Sequence, residues 1–377
     1  MIKTSPKLKI AYFDIQRFSN VSHKITITEL LQYFSMYAEM IPLKYSPRKT
    51  NLKIWFDDVV KKEIRFIFFN DVFILFDFFS YRYASNLDIG FILFPFIIEP
   101  WKHRWISIAG LICNKDLLLA FSHYTADRMA ELAPGLQSIN FPIPIDSEMI
   151  RQIIPWSGGN QHVFQIVFCS RLENYRHLHR IIPAIQQAFK NKKWQLHIIS
   201  NLPEKLEYYL SIIRLISMRG VSTNVRWWGD LIDQPQLKFA IFKQSDILVH
   251  LSSFEGETFG RVVIEAMASG LPVITTDWQA LNELIRDGDN GYLVSVRNDE
   301  VDMAELVSSL VWFMDHQEPA REMGEKNILV SRCYDYRNVF PPLLEKLEQL
   351  ECQALCFLNP LTSVLFNHVQ SSGDSDA

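Results

Sequence analysis

The sequence predicts an α/β protein built from two Rossmann-like, doubly wound parallel-sheet domains facing a central cleft. Three observations predict it. Short runs rich in Ile, Val and Phe alternate with segments of helical spacing, as in strands joined by helical crossovers. The 377 residues suffice for two domains of roughly 150–200 residues each. Pro142, Pro144 and Pro155, around Ser157-Gly158-Gly159-Asn160, interrupt the pattern near the middle, as a linker does.

In the first half, Lys9 to Tyr12 reads as a strand and Ile25 to Ile41 has helical apolar spacing. Leu52 to Phe56, Ile64 to Phe69 and Ile89 to Phe94 read as buried strands. Leu117 to Phe121 is another, followed by a helix to about Leu132 that either Ser122 or Thr125 can cap. After the break, Val163 to Phe168 is a strand and a helix runs from about His177 to Phe189. Strands follow at Leu196 to Ile199, Val225 to Trp228, Ile247 to Leu251 and Pro272 to Thr276, with helices at Pro235 to Gln244 and Phe259 to Ser269. The tail from Leu344 to Val369 reads as helical. The expected domains are 1–155 and 160–345, a helical segment 346–370 packing back toward the first domain, and a disordered tail 371–377.

Composition excludes several classes. A net charge of −4 gives no case for nucleic-acid binding. The five cysteines are scattered in a chain too long for a disulfide scaffold, which favours a reducing, cytoplasmic setting. Cys352 and Cys356 share a helix face but have no paired ligands nearby in sequence, and read as core thiols. Met1 to Lys9 lacks the apolar run of a signal peptide. The apolar region Ile64 to Ile98 is cut by Asn70, Asp71, Asp77, Arg82 and Asp88, short of the roughly 20 residues of a spanning helix. A peripheral contact with the inner face of a membrane stays open, as does the oligomeric state.

The most informative stretch is Ser252 to Pro272, with Glu257 and Glu265 eight positions apart. After Gly260 the residues Val262, Val263, Ile264, Ala266, Met267 and Ala268 cover nearly every direction of a helix, leaving Arg261, Glu265 and Ser269 as one polar stripe. Such a helix is buried, and an unpaired buried carboxylate is costly. Glu265 either pairs with Arg261, for about 0.3 kcal/mol, or accepts ligand hydroxyls. Glu257, Thr258, Phe259 and Gly260 sit at the helix start, where free amides and the helix dipole favour a diphosphate. Spacing alone does not separate Glu255 from Glu257. Arg171 and Arg176 follow the first strand of the same domain and suit phosphate clamping.

These residues resemble the retaining glycosyltransferases of family 4 (glycosyl transferases group 1), which have the two-domain GT-B fold. The paired glutamates carry the resemblance, with Phe168 to Leu172, Asp246 to Ser253, Thr276-Asp277-Trp278 with Glu283, and Asp287 to Val294 in register. It covers roughly residues 163–300. It implies a hexosyltransferase of class EC 2.4 that moves a sugar from a UDP- or GDP-linked donor to a glycan or lipid-linked acceptor, and that needs no cofactor or metal. Glu257 would face the donor sugar as the catalytic residue, and Glu265 would hold the ribose. Arg171 and Arg176 would neutralise the diphosphate, with Thr258, Phe259 and Gly260 completing the donor site. Lysine is the family's usual residue at position 176. The first domain departs from the family: Asp14 to His23 has no glycine, and Leu93-Phe94-Pro95-Phe96 lacks the expected histidine. His103 and His123 are the nearest candidates on the acceptor side, and each reads better as an ordinary surface or core histidine. A catalytically silent nucleotide-sugar binding or scaffold protein of the same fold is the alternative, and a phosphorylase or nucleotide-sugar epimerase is a third reading.

Overall fold

The structure, a computed structural model, describes residues 8–13, 21–45, 50–69, 72–95, 98–158, 162–190, 192–201 and 206–358. The chain divides into two compact units. One comprises 1–142 with 339–377, and the other 143–338.

The first unit runs β1 (Lys9–Phe13), α1 (Val21–Tyr37), β2 (Glu39–Leu43), α2 (Leu52–Lys61), β3 (Phe66–Phe69), α3 (Leu75–Ser85), β4 (Gly90–Leu93), α4 (Lys102–Ile108), β5 (Leu117–Ala120), α5 (His123–Leu132) and β6 (Gln137–Asn140). The sheet order is β2-β1-β3-β4-β5-β6, with every pairing parallel. The middle strands β3, β4 and β5 are buried at every position, so they read as continuous apolar runs. Edge strands β2 and β6 are half-exposed, and β2 carries Pro42, where a missing N–H costs least.

Leu52 to Phe56, expected as a strand, is the start of helix α2. Asn51 Oδ1 caps it by accepting from Lys53 N at 2.9 Å, and Trp55, Phe56 and Val59 are buried while Ile54 faces out. A five-residue apolar run was too short to show that period. The helix expected to reach Ile41 stops at Tyr37, because residues 39–43 pair with β1. Helix α3 lies between the expected strands Ile64–Phe69 and Ile89–Phe94, in a stretch for which no element was expected. At α5, Ser122 is the cap: its Oγ accepts from Thr125 N at 3.1 Å.

The second unit runs α6 (Ser147–Gln152), β7 (Phe164–Cys169), α7 (Leu178–Ala188), β8 (Trp194–Ile199), α8 (Leu206–Met218), β9 (Val225–Gly229), α9 (Pro235–Gln244), β10 (Ile247–His250), α10 (Arg261–Ala268), β11 (Val273–Thr276), β12 (Gly291–Val294), the hairpin β13 (Val296–Arg297) and β14 (Glu300–Val301), α11 (Met303–Asp315) and α12 (Gln317–Ser331); α13 (Tyr336–Glu351) leads out of it. The sheet order is β12-β11-β10-β7-β8-β9, again parallel throughout. Strand order reverses between β7 and β10, and ligands of open parallel sheets bind beyond the carboxyl ends of the strands at such a point.

The unit boundary differs from the expected one at residues 155–160. Ile145 N donates to Tyr334 O at 2.9 Å and Tyr336 N to Ile145 O at 3.0 Å. Ser147 N donates to Asp335 Oδ2 at 3.0 Å. These bonds tie the segment from 143 onward to the second unit. The chain returns to the first unit within α13, where Phe340 packs on Phe34 at 4.8 Å and Phe141 at 5.3 Å. Helix α13 ends at Glu351. The rest of the expected terminal helix, 359–369, and the tail 371–377 lie outside the described residues. Cys352 and Cys356, expected in a core, are exposed, as is Cys333; Cys113 and Cys169 are buried. Among the described residues no helix is long and apolar enough to cross a membrane.

Candidate functional site

Strands β7 and β10 are parallel neighbours, Ile166 against Ile247, so the loops that leave their carboxyl ends emerge side by side. After β7 the chain passes Arg171 and a turn of 3-10 helix, Asn174–Arg176, into α7. After β10 it passes Ser252, Ser253 and Glu257 into α10. Ser253 N donates to Tyr175 O at 3.0 Å and stitches the two loops together.

The two loops meet in a buried ion pair. Arg176 Nη1 donates to Glu257 Oε2 at 2.6 Å, with both side chains about nine-tenths buried. Ser252 Oγ donates to the same oxygen at 2.9 Å. Arg176 Nη1 also lies 3.2 Å from His250 Nε2, so that nitrogen accepts and the ring is neutral. Burial, then the Arg176 charge, lowers the His250 pKa to about 4. Burial alone would raise the Glu257 carboxyl, but the charge of Arg176 and the Ser252 hydroxyl outweigh it, and the group lies below its ordinary value. Arg176 Nε is buried and has no hydrogen-bond partner among the described residues. Arg171 is half-buried, its guanidinium 5.7 Å from the Tyr175 ring and 6.0 Å from that of Phe254.

Helix α10 begins at Gly260, at φ 99° and with no side-chain cap. That φ suits glycine and strains any residue with a side chain, and a Cβ there would also press on Leu281 Cδ2 at 2.6 Å. Thr258 and Phe259 are buried beside it, Phe259 with its ring 6.1 Å from that of Tyr334. Glu265 lies a turn further on, with both oxygens engaged. Oε1 accepts from Arg261 Nε at 3.1 Å and Oε2 from Lys238 Nζ at 3.0 Å. The expected pairing with Arg261 therefore exists, and Lys238 adds to it. Burial would raise the Glu265 carboxyl, yet Lys238 and Arg261 together hold it low. A carboxylate accepts about four bonds, so hydroxyls can still join the two cations.

The structure thus brings Arg176, Glu257, Thr258, Phe259 and Gly260 to one sheet edge, with Arg171 beside them and Glu265 along the helix. Four supporting residues were missed in the sequence: Lys238, His250, Ser252 and Gln279, whose Oε1 accepts from Glu257 N at 3.0 Å. Ser252 and His250 lie within the motif stretch or the strand before it. Lys238 and Gln279 belong to other elements, and no spacing rule links them to it. His103 and His123 are exposed in the first unit. The loop after β1, where glycines are lacking, lies outside the described residues from 14 to 20.

The glycosyl transferases group 1 family model matches residues 163–311. The matched region contains every site residue described above. A phosphatidyl-myo-inositol mannosyltransferase of Mycobacterium leprae is 26% identical over 237 residues, 62% of this chain and 56% of that protein. An N-acetyl-alpha-D-glucosaminyl L-malate synthase of Bacillus anthracis is 28% identical over 219 residues, 56% of this chain and 54% of its own. The chain thus spans little more than half the length of these curated relatives. Among solved structures, Anabaena HepE in complex with UDP and glucose aligns with a TM-score of 0.69 and 16% identity, over 91% of this chain and 100% of that one. The fold shared with such neighbours is GT-B, two Rossmann-like units.

Proposed function

We propose that the protein is a retaining glycosyltransferase, moving a hexose from a UDP- or GDP-linked donor to a glycan or lipid-linked acceptor. The observation that carries the reading is the Arg176–Glu257 pair at the strand-order switch point, beside the uncapped glycine start of α10. A donor diphosphate at that helix end would meet the positive end of the α10 dipole and Arg171, and would give the unpartnered Nε of Arg176 an acceptor. Released from part of its countercharge, Glu257 would face the sugar, and Glu265 with Lys238 would take the ribose hydroxyls. The clustered cations would stabilise the leaving diphosphate, so the transfer step itself uses no metal or cofactor. The names of the relatives, which act on a phosphatidyl-inositol and make an aminosugar conjugate, support a sugar donor and leave the acceptor broad.

The test is a donor–acceptor screen that follows nucleotide diphosphate release and the anomeric configuration of the product. Glu257→Ala and Arg171→Ala should each cut turnover at least a hundredfold with the circular-dichroism spectrum unchanged. Wild-type turnover in either purified variant, or an inverted product, defeats the reading. A catalytically silent sugar-nucleotide binder is the second reading, favoured by the mutual neutralisation of Arg176 and Glu257. It predicts donor binding by calorimetry with no turnover for any acceptor.

A further inference from the structure

Outside the donor residues, one cluster in the second unit has the chemistry of a metal site. One ligand atom from each of His177, His179 and Glu300 lies within 4.8 Å of those of the other two. His177 is buried at the start of α7, and its Nδ1 has no hydrogen-bond partner among the described residues. The opposite nitrogen, Nε2, lies 3.1 Å from Ser253 Oγ. His179 repeats the arrangement: its Nδ1 lies 3.0 Å from Tyr208 Oη, which leaves Nε2 for a ligand. Both rings therefore have an oxygen partner on one nitrogen and offer the other. Metal-bound imidazoles are oriented in this way by a second partner. Glu300 opens β14, and its Oε2 is bound by Arg180 Nε at 2.9 Å, so Oε1 remains to coordinate.

From this geometry we infer that His177 Nδ1, His179 Nε2 and Glu300 Oε1 form a site for a divalent first-row transition ion of the zinc class, with a fourth position for water. Two imidazoles and a carboxylate are a known zinc donor set, whereas calcium and magnesium take oxygen ligands. Tetrahedral zinc with bonds of about 2.0–2.1 Å places its ligands about 3.3 Å apart, so groups within 4.8 Å of one another must close by up to about 1.5 Å. Glu300 can supply that movement. It is exposed and follows Asn298 and Asp299, both in the left-handed region, in the β13–β14 turn. The left-handed backbone of His177, φ 54°, is strained for a side-chain-bearing residue. A residue held there by its ring contacts, directly after Arg176, would let the ion clamp the hairpin to the turn that carries Arg176. The inference does not depend on the transferase reading, because its readout is metal binding.

The experiment uses the full chain stripped with chelator and titrated with zinc by calorimetry and with cobalt by visible absorption. The expected result is one equivalent bound, a tetrahedral cobalt spectrum without a thiolate charge-transfer band, and a higher unfolding temperature with zinc. His179→Ala and Glu300→Gln should each weaken binding at least tenfold. Tyr208→Phe should weaken it about 10–100-fold by loss of the orienting hydroxyl. His177→Gly, whose backbone suits the left-handed turn, should fold and lose the site. A variant with Cys333, Cys352 and Cys356 changed to serine should bind as wild type does. No stoichiometric binding by wild type, unchanged binding in His179→Ala and Glu300→Gln, or loss of binding in the cysteine variant overturns the site.

Discussion

Two buried arginine–carboxylate pairs differ at the residue scale in how far the fold itself meets their demands. Arg82 on α3 is fully buried and pairs with Asp116, its Nη2 donating to Oδ2 at 2.8 Å. Asp116 also accepts from Phe91 N at 3.0 Å and Cys113 N at 2.9 Å, and Arg82 donates to the carbonyls of Ile89 and Leu111. Arg82 Nε lacks a partner, as Arg176 Nε does, but the Arg82 guanidinium packs on the faces of Phe91 and Phe79 at 4.1 and 4.8 Å. Its demands are met inside the fold. Arg176 has one ring, Tyr175, at 5.3 Å, and lies where a helix start and Arg171 also favour an anion. Asp116→Ala leaves a buried charge unpaired and should cost about 3–5 kcal/mol in urea unfolding. Glu257→Gln should also destabilise, but added UDP should raise its melting temperature by more than it raises that of the wild type, by supplying Arg176 with a new countercharge, whereas Asp116→Ala should gain no more than the wild type does. The same UDP increment in both variants contradicts this division of roles.

Elements explain why the second unit was so much more legible than the first. In the second unit each expected strand and helix between Val163 and Thr276 exists within a few residues, because its loops carry clear punctuation, such as Gly260 before α10 and Gly270 after it. Gly270, at φ 82°, closes α10: its N donates to Met267 O at 3.0 Å and Leu271 N to Ala266 O at 3.0 Å. In the first unit no glycine precedes Gly90, and strand and helix runs are alike in length and greasiness, so Leu52 to Phe56 was assigned the wrong period. The candidate site was legible where it lies within one stretch, from Ser252 to Glu265. Its supports were not, because Lys238 and Gln279 reach it only through the packing of α9 and the 3-10 turn Gln279–Glu283. That packing is tight elsewhere too. A Cβ on Gly324 of α12 would lie 2.1 Å from Gly270 O, a backbone atom that cannot swing aside. Gly324→Ala should therefore force α12 away from α10 and lower stability by about 1–3 kcal/mol, seen as a lower urea midpoint with an unchanged slope. An unchanged midpoint would mean the helices separate without cost.

At the scale of the whole molecule, the distribution of buried titratable groups predicts which unit yields first to acid. His197 and His250 are both almost fully buried in the second unit. Burial, then the charge of Arg226, lowers the His197 pKa to about 4, and His250 has a similar value. The neutral form of His197 is fixed from both sides: Nδ1 accepts from Trp228 Nε1 at 3.0 Å, and Nε2 bonds Gln165 Oε1 at 2.7 Å. A second proton on Nδ1 would face the indole N–H. A histidine whose pKa is lower folded than unfolded stabilises the fold above its unfolded value, near 6.5, and that contribution drains as pH falls toward 4. Each group contributes up to about 1.4 kcal/mol per pH unit over that window and half that slope at its start, so the two together should remove about 3 kcal/mol between pH 6.5 and 5, and His177, buried in the same unit and also lowered to about 4, chiefly by burial, adds a similar share. The low carboxyls of Glu257, Glu265 and Asp335 belong to the same unit and add their loss below their ordinary range, at still lower pH. Hydrogen exchange at pH 7 and pH 5, corrected for intrinsic rates, should show protection falling in β7, β8 and β10 while β3 and β4 change little. His197→Gln, whose amide oxygen can still accept from Trp228, should remove about a third of the histidine-linked loss. Equal loss of protection in both sheets would instead assign the acid response to the molecule's general charge balance rather than to these rings.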